Sequence, residues 1–563
     1  MAWSVSVALD RPSDDDRARR EMKWWGWGDP DHRPHLPDAA VAFLRAEVGI
    51  AEQLRRPVAL QDVRLGEPAL PDEARKGLAA VVGEKQVRDD RRTRVVHAAG
   101  KSYPDLVSQR AGLCEGAPDA VVSPRSTEEV RSVLDTAAEA GVAVVPFGGG
   151  TSVVGGVAPE RGQFGAAISL DLGRIDALLA LDERSLTATF GPGIRGPEAE
   201  ALLARRGLTL GHFPQSYEFA SLGGFAATRS AGQASTGYGR FDELVLGLRC
   251  AAPAGELRAA ADFPASAAGP SLREVLVGSE GVLGVITELT VRVRPRPAER
   301  RFEGWFFRSF AEGVEAFREL EQRRAAPDVA RLSDEDETRS ALAFAGGGGA
   351  RDLVGRAYLR ARGYAGGCLV VVGWDGSAVE VARRRAAGAR ILRHAGGLPL
   401  GRGPGGAWER SRFETPYLRD DMLERGLMVE TLETATNWSN LLTLHGAVRR
   451  ALHQALAARG TPPLVLCHVS HLYPSGASLY FTFMARQEAY HELDQWQAAK
   501  RAASDAIVVT GGTITHHHAI GRDHVPWMRA ETGPLGVDVL RAAKTAADPA
   551  GIMNPGKLLP ESR

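Results

Sequence analysis

A glycine-rich segment constrains this chain more than any other stretch. Residues 144–157 read Val-Val-Pro-Phe-Gly-Gly-Gly-Thr-Ser-Val-Val-Gly-Gly-Val, so an apolar strand pattern runs into Pro146 and three consecutive glycines. Backbone without Cβ atoms enters left-handed conformations and approaches a ligand closely. Successive N–H groups that face one concavity bind anions, and the hydroxyls of Thr151 and Ser152 add donors. The segment predicts a phosphate-binding loop, with a plain surface turn as the alternative.

Two common nucleotide-binding motifs do not describe this loop. A dinucleotide fingerprint needs Gly-x-Gly-x-x-Gly after a strand and an acidic residue about 20 positions further on, and the segment lacks this pattern. A Walker loop needs Gly-Lys-Ser or Gly-Lys-Thr after the glycines, and the chain has neither there.

Two later stretches extend the pattern. Residues 214–239 contain Ser-Leu-Gly-Gly-Phe-Ala-Ala-Thr-Arg-Ser-Ala-Gly from Ser221 onward, and residues 278–287 read Gly-Ser-Glu-Gly-Val-Leu-Gly-Val-Ile-Thr. In this order and spacing, the three stretches resemble the FAD-binding domain of the vanillyl-alcohol oxidase flavoprotein family. The resemblance implies that the glycine loop holds the FAD pyrophosphate. Some members tether the flavin through a histidine in this loop, but the matching position is Gly150, which implies non-covalent FAD.

The resemblance also implies a set of cofactor-binding residues. They are Pro146, Gly148, Gly149, Gly150, Thr151, Ser152, Gly155, Pro214, Ser221, Gly223, Gly224, Thr228, Ser230, Glu280, Gly281, Gly284, Val285 and Ile286.

Length and composition set limits on the rest. A chain of 563 residues is too long for one core and predicts two or three domains. Lys+Arg and Asp+Glu both number 69, so the balanced charge does not favour a nucleic-acid partner. The four cysteines, Cys114, Cys250, Cys368 and Cys467, lack metal-ligand or redox spacing and predict free thiols in a reducing compartment.

The sequence shows no signal for export or for membrane insertion. The first residues lack a basic region followed by an apolar one, and no stretch of about 18 apolar residues occurs. The ending Glu-Ser-Arg is not of the peroxisomal Ser-Lys-Leu type. We therefore expect a cytoplasmic protein, with peripheral association at a membrane surface left open.

The pattern along the chain predicts an α+β protein in four parts. These are a helical N-terminal region (1–95), a two-subdomain FAD-binding domain (96–298), an α+β substrate or cap domain with an antiparallel sheet (299–505), and a C-terminal segment returning to the FAD domain (506–563). Three tryptophans within residues 24–27 are predicted to be core, with an exposed anchor as the alternative. Residues 341–352 are predicted to form a loop, either a lid or a segment without a role.

A strand in the cap region carries a candidate catalytic residue. In Leu-Tyr-Phe-Thr-Phe-Met at 479–484, Leu479, Phe481 and Phe483 share one face and Tyr480 and Thr482 the other. The apolar face belongs in a core, whereas the mixed face can line a cavity with the phenol of Tyr480. A tyrosine packed in a half-buried sheet is the alternative.

Three adjacent histidines, His516, His517 and His518, follow soon after. In an extended segment His516 and His518 would face one way and His517 the other. Crowding of like charges is expected to lower their pKa values and to keep at least one imidazole neutral near pH 7. Neutral imidazoles suit proton transfer. A zinc site would need a further ligand, and an incidental polar run is the third interpretation; we predict no metal.

Arg331 and Arg419 are candidate anion-binding residues in the cap region. A guanidinium binds phosphate or carboxylate through two parallel hydrogen bonds. Either arginine could instead form a structural ion pair, and Arg419 has Asp420 and Asp421 beside it.

Taken together, these features resemble the alkyldihydroxyacetonephosphate synthase family of flavoenzymes. The matching stretches are Met22-Lys23-Trp24 through Gly28, Phe219 to Gly224, Tyr417-Leu418-Arg419-Asp420, Tyr480-Phe481 and the triple histidine. The resemblance implies exchange of the acyl chain of acyl-dihydroxyacetone phosphate for a long-chain fatty alcohol, through attachment of the substrate to flavin N5 without net redox change. It also implies that Tyr480 is the catalytic acid/base, that the histidines lie beside the flavin, that Arg331 and Arg419 bind substrate phosphate or orient the polar network, and that the enzyme is a homodimer.

Some departures keep other functions open. The ending Asn554-Pro555-Gly556-Lys557-Leu558 is more typical of flavin-dependent D-2-hydroxyacid dehydrogenases, and Ser221 replaces a threonine. The alternative enzyme is therefore an FAD-dependent oxidase or dehydrogenase of a D-2-hydroxy acid or alcohol. A flavin- or lipid-binding protein without catalysis is the third possibility.

Overall fold

The computed structural model describes residues 11–12, 21–261, 263–345 and 350–561. In chain order, the helices and strands of the first half are α1 (Asp38–Glu47), β1 (Arg64–Leu65), α2 (Asp72–Val82), β2 (Val87–Arg88), α3 (Arg91–Val96), α4 (Tyr103–Arg110), β3 (Leu113–Cys114), β4 (Ala120–Val122), α5 (Thr127–Ala140), β5 (Val142–Phe147), β6 (Ala166–Asp171), β7 (Leu178–Asp182), β8 (Thr187–Phe190), α6 (Gly196–Ala204), β9 (Leu208–Thr209), α7 (Leu222–Ala227), α8 (Ser235–Tyr238), α9 (Phe241–Leu244), β10 (Val245–Ala252), β11 (Gly255–Ala259), α10 (Leu272–Leu276), β12 (Val285–Arg292) and β13 (Arg294–Pro295).

The remaining elements complete the chain. They are β14 (Glu299–Phe307), α11 (Phe310–Gln322), β15 (Val329–Ser333), α12 (Glu335–Phe344), α13 (Ala350–Ala361), β16 (Cys368–Gly376), α14 (Ala378–His394), β17 (Leu398–Gly401), α15 (Arg402–Ser411), α16 (Thr415–Glu424), β18 (Leu427–Asn437), α17 (Leu441–Ala457), β19 (Leu464–Tyr473), β20 (Gly476–Arg486), α18 (Glu492–Val509) and α19 (Met528–Ala547).

The first half of the molecule has two main sheets and two short two-stranded ones, β1-β3 and β9-β13. One main sheet has the order β2-β4-β6-β5 and is parallel except for β2. The other has the order β11-β10-β12-β8-β7 and is antiparallel throughout. The helix α5 shows why the first sheet is covered: Ser126 caps its start by accepting the Glu129 N–H, and Val130, Val133 and Leu134 are buried on one side. The glycine-rich segment therefore begins at the end of β5, a strand of this covered sheet.

One seven-stranded antiparallel sheet dominates the second half, in the order β17-β14-β16-β15-β19-β20-β18. The helices α11, α14, α17 and α18 contribute to its core. As predicted, Leu479, Phe481 and Phe483 of β20 are fully buried. Tyr480 and Thr482, on the opposite face of the same strand, are half-buried. The candidate catalytic residue Tyr480 therefore lies on the face of the cap sheet opposite the hydrophobic core.

The N-terminal segment links the two halves. Lys23 forms a buried ion pair with Asp420 at 3.3 Å, and the Trp27 N–H donates to the same carboxylate. Trp24 and Trp27 are buried, and the Trp27 ring packs on Phe219. The predicted core position is confirmed for Trp24 and Trp27, whereas Trp25 is half-buried. The segment contacts both the cap and the first half.

Several predicted boundaries differ from the observed elements. The boundary at 505 falls inside α18, because that helix continues without interruption to Val509. The region before residue 96 also contributes to the first sheet, since β2 pairs with β4. Part of the predicted loop at 341–352 is helical, in α12 and α13, and residues 346–349 lie outside the described residues.

The C-terminal segment returns to the first half, as the sequence suggested. Met553 bridges Val144 of β5, and the side-chain amide of Asn554 donates to the carbonyls of Gly156 and Glu280. The four cysteines are buried and free. Among the described residues, no helix has the length and apolar character needed to cross a membrane.

Candidate active site

The three glycine-containing stretches converge on one place. A Cβ atom added at Gly148 would lie 2.2 Å from Oγ of Ser221, and one added at Gly281 would lie 2.8 Å from Cγ of Pro146. At Gly149 the added atom would meet the Phe219 carbonyl oxygen at 2.0 Å. The glycines are therefore required by close backbone packing, and the packing joins segments that are far apart in sequence.

The loop also presents unused donors. Among the hydrogen bonds of the described residues, no backbone N–H of residues 148–152 donates to another protein atom. Five neighbouring N–H groups at a partly buried position form the concavity that binds a diphosphate. The observation fits the FAD pyrophosphate predicted for this loop.

Other predicted cofactor residues have structural partners. Ser221 caps α7 by accepting the Gly224 N–H at 3.2 Å, and the Thr228 hydroxyl donates to the Gly224 carbonyl. Ser230 pairs with His212 at 3.0 Å. The side chains of Val285 and Ile286 pack in hydrophobic clusters, so only their backbone remains for a ligand.

Three polar residues form a row across the cap sheet. His468 of β19 and Glu433 of β18 are the direct neighbours of Tyr480 on its two sides. Side chains at paired positions share one face of a sheet. The rings of His468 and Tyr480 stack at 5.0 Å between centroids. The sheet thus fixes the phenol between an imidazole and a carboxylate.

The phenol faces the histidine segment. The Tyr480 ring stacks on His517 with centroids 6.0 Å apart and meets His518 edge-on at 5.5 Å. Burial raises the pKa of Tyr480 to about 12, with hydrogen bonding to Thr431 acting in the opposite direction. Tyr480 therefore carries its proton at neutral pH.

The histidines do not alternate as an extended segment would require. Residues 516–518 are bent, and Nδ1 of His516, His517 and His518 lie 4.0, 3.5 and 3.8 Å from the carboxylate oxygens of Glu433. The backbone N–H groups of all three donate to the same carboxylate. One acceptor for three successive donors curls the backbone, so the imidazoles converge instead of facing opposite ways.

All three imidazoles are neutral at pH 7. Burial lowers the pKa of His517 to about 4, that of His516 well below its usual value and that of His518 below its usual value. The crowding of like charges adds to this effect, whereas Glu433 opposes it. The predicted direction is therefore confirmed, but desolvation is its main cause.

The two predicted arginines lie near Tyr480 in different settings. The guanidinium of Arg331 donates to Glu337 at 2.8 Å and lies 3.1 Å from Nε2 of His468, which stacks on Tyr480. Arg331 is thus held by Glu337 and His468, and it reaches Tyr480 only through the His468 ring. Arg419 donates to the carbonyl oxygen of Lys101 at 2.5 Å and interacts electrostatically with Tyr480. Arg419 is the arginine closer to the glycine loop, because the Lys101 N–H donates to the Ser152 carbonyl.

Glu280, predicted to bind cofactor, uses its carboxylate differently. It accepts the N–H groups of Ile520 and Gly521 at 2.9 and 2.7 Å. Its position beside Gly156 still places it against the glycine loop. The residue holds the end of the histidine segment against the first half of the molecule.

One group of histidines has the spacing of a metal site. Nitrogen atoms of His471, His516 and His517 lie within 4.8 Å of one another. His516, however, already uses both ring nitrogens, Nε2 with the Tyr473 hydroxyl at 2.6 Å and Nδ1 with His517 at 2.9 Å. A cation there would have to displace one of these bonds, so the arrangement favours a hydrogen-bonded cluster.

The sequence interpretation missed Glu433, His468, His471 and Tyr473. A signal for Glu433 exists, because two glutamates, Glu430 and Glu433, interrupt the apolar pattern of β18 and are buried. A buried carboxylate needs several donors. No local pattern, however, indicates which donors these are.

Two family models match the chain, one in each half of the molecule. Residues 118–261 match the family model described as "FAD binding domain", and residues 296–558 match the one described as "FAD linked oxidases, C-terminal domain". The protein is thus a flavoprotein with FAD as its cofactor.

The more specific family follows from individual relatives. The chain is 32% identical to alkyldihydroxyacetonephosphate synthase of Dictyostelium discoideum over 96% of this chain and 94% of the relative. Identity to the Trypanosoma brucei brucei protein of the same name is also 32%, over 96% and 93%. A solved structure of alkyldihydroxyacetonephosphate synthase superposes with a TM-score of 0.83 at 29% identity, covering 96% of this chain and 99% of that one. The chain belongs to the alkyldihydroxyacetonephosphate synthase family, which confirms the predicted fold class, family and cofactor.

Proposed function

We propose that this protein exchanges the acyl chain of acyl-dihydroxyacetone phosphate for a long-chain fatty alcohol. The observation that carries the proposal is the contact of Tyr480 with the imidazoles of His517 and His518, whose pKa values burial lowers. In the overall reaction a carboxylate leaves a carbon of the substrate and the oxygen of the alcohol takes its place. Substrate and product are at the same oxidation level, so no external oxidant or reductant is required.

The residues of the glycine loop fit FAD. Residues 148–152 would hold the pyrophosphate through their free N–H groups, and Thr151 and Ser152 would add hydroxyl donors. We expect the flavin to be non-covalent, because Gly150 has no side chain for a tether. When bound, FAD supplies an electron-accepting centre to which a substrate carbon can attach.

Side chains of this protein carry out the proton transfers. Tyr480 is protonated at neutral pH, so its hydroxyl either donates a proton or takes one up while passing its own onward. His517 and His518, neutral and in ring contact with the phenol, are the acceptors for that proton. General acid–base catalysis of this kind contributes about 10²–10⁴-fold in rate.

Charge in the site suits a phosphorylated substrate. Arg419 is the proposed phosphate ligand, because its guanidinium lies at the junction of the glycine loop and Tyr480. Arg331 is proposed to orient His468 beneath Tyr480 instead of touching substrate, since Glu337 already engages it. Both assignments refine the roles that the resemblance implied.

The direct test is incubation of the FAD-loaded protein with palmitoyl-dihydroxyacetone phosphate and hexadecanol. Mass spectrometry should detect hexadecyl-dihydroxyacetone phosphate and one palmitate for each product molecule. The same mixture without alcohol serves as the control. Absence of the ether product from fully FAD-loaded protein would contradict the proposal.

The oxidase alternative gives a different signal. Under anaerobic conditions a D-2-hydroxy acid would bleach the flavin absorbance and yield a keto acid. We expect no bleaching with hydroxy acids, because the exchange reaction leaves the flavin oxidised overall. A catalytically silent binding protein would give neither the ether product nor bleaching.

The resemblance implies the assembly state, and the sequence signals give the expected location. We propose a cytoplasmic homodimer, with peripheral association at a membrane surface as the open alternative. Analytical ultracentrifugation and flotation with phosphatidylcholine vesicles test these two expectations separately.

A further inference from the structure

The carboxylate of Glu433 is fully enclosed and unusually well supplied with donors. Its side chain is 0% exposed, yet it accepts four hydrogen bonds from a single short segment. These come from the Thr515 hydroxyl at 2.6 Å and from the backbone N–H groups of His516, His517 and His518 at 2.5, 3.0 and 2.7 Å. Bonds to an ionised carboxylate are about twice as strong as neutral ones.

A second buried carboxylate holds the other end of the same segment. Glu280 accepts the N–H groups of Ile520 and Gly521. Between the two anchored stretches lies Ala519, with a φ of 75°, a left-handed conformation that costs a non-glycine residue energy. Such strain persists only where the surroundings impose it, and here each half of the molecule supplies one carboxylate.

The geometry points to Glu433 as the positioning residue for the proposed reaction: it holds the histidine segment so that His517 and His518 face Tyr480, without itself touching the substrate. Glu433 and Tyr480 are direct cross-strand neighbours, so the distance between phenol and carboxylate is fixed by the sheet. Because the carboxylate also holds the histidine backbone, it fixes the distance from phenol to imidazoles. The inference rests on the proposed function only for its catalytic consequence.

Glu433→Gln tests this inference in the FAD-loaded protein. The amide keeps the shape but replaces one acceptor oxygen by a donor, so at least one of residues 516–518 loses its partner. A displacement of about 1 Å at such a site costs about 10²-fold in rate. We expect kcat for ether formation to fall about 10²-fold while KM and FAD content stay within about twofold.

Two further readouts separate positioning from general destabilisation. Loss of a negative charge that favours imidazolium lowers the histidine pKa values, so the acidic limb of kcat against pH should move to lower pH. Amide hydrogen exchange at 516–518 should also accelerate, while exchange at 520–521 stays protected by Glu280. The exchange measurement needs no turnover, so it tests the anchoring even if the proposed reaction is wrong.

Asp119→Asn is the matched control. Asp119 is equally buried and accepts the N–H groups of Ala69 and Ala167 at 2.8 and 2.7 Å, with no histidine of 516–518 among its bonding partners. Asp119→Asn should lower the free energy of unfolding without moving the acidic limb of kcat against pH. If Glu433→Gln fails to fold, Thr515→Val removes one donor to the same carboxylate but keeps its charge. It should lower kcat and accelerate exchange at 516–518 to a smaller extent, and it should leave the acidic limb of kcat where it is. Wild-type kcat, pH limb and exchange rates in a folded Glu433→Gln protein would overturn the inference.

Discussion

Replacing Tyr480 by phenylalanine should separate catalysis from folding. The substitution removes only the hydroxyl, and the remaining ring can still stack on His468 and His517. A lost intramolecular hydrogen bond costs about 0.5–1.5 kcal/mol of stability. The neighbouring strands hold the ring in register on both sides, so no larger rearrangement is expected.

The effect on rate should be larger. Removal of a general acid–base group costs about 10²–10⁴-fold, which corresponds to about 3–5 kcal/mol in the activation free energy. The barrier therefore rises by several times the loss in stability. We expect FAD content and the unfolding temperature of Tyr480→Phe to stay close to wild type while alkyl exchange falls by at least about 10²-fold.

The assay is single-turnover and steady-state formation of the ether product at saturating substrate, with FAD occupancy measured by absorbance. Tyr364→Phe is the control, because Tyr364 is also buried in the cap half and its hydroxyl donates to the Gly396 carbonyl at 2.6 Å. It should lose similar stability and no activity. Exchange at the wild-type rate by Tyr480→Phe would refute the proton-transfer role.

The remaining predictions concern the cofactor loop, pH and the N-terminal segment. Gly149→Ala should displace the glycine loop, because the added Cβ would lie 2.0 Å from the Phe219 carbonyl oxygen. The loss of one charge-assisted N–H bond to the pyrophosphate should weaken FAD binding about 10–10²-fold in a fluorescence titration. Gly165→Ala, whose added Cβ meets open space, should bind FAD as wild type does. Burial raises the pKa of Glu280 to about 7 from 4.5, so the folded state favours its protonated form and its contribution to stability is lost as pH rises from about 4.5 to 7. Glu280→Gln removes this titration, so its free energy of unfolding in urea should rise relative to wild type between pH 5 and pH 8, by up to about 3 kcal/mol. A difference that does not change with pH would contradict the assignment. Lys23→Met leaves the buried Asp420 without its cation and should cost about 3 kcal/mol in thermal unfolding, whereas Lys76→Met, in an exposed pair with Glu73, should cost less than about 1 kcal/mol.

Features that depend on neighbouring residues could be predicted from the sequence alone. The strand ending in a glycine loop, the capped helix α5 and the two faces of β20 follow from local conformational preference and from the two-residue period of a strand. The family resemblance added the cofactor and the pairing of Tyr480 with the triple histidine. The roles of individual site residues stay predictions.

The surroundings of the Tyr480 phenol, in contrast, depend on contacts between segments that are far apart in the chain. A regular hairpin continuing from the Tyr473–Gly476 pair would place Val469 opposite Tyr480, but an irregularity between Val469 and Leu472 shifts the register by one residue and brings His468 there. The histidines converge because a carboxylate about 85 residues earlier in the chain accepts their N–H groups. Strand periodicity carries no information about a bulge or a distant acceptor, since both are set by the packing of separate elements in three dimensions.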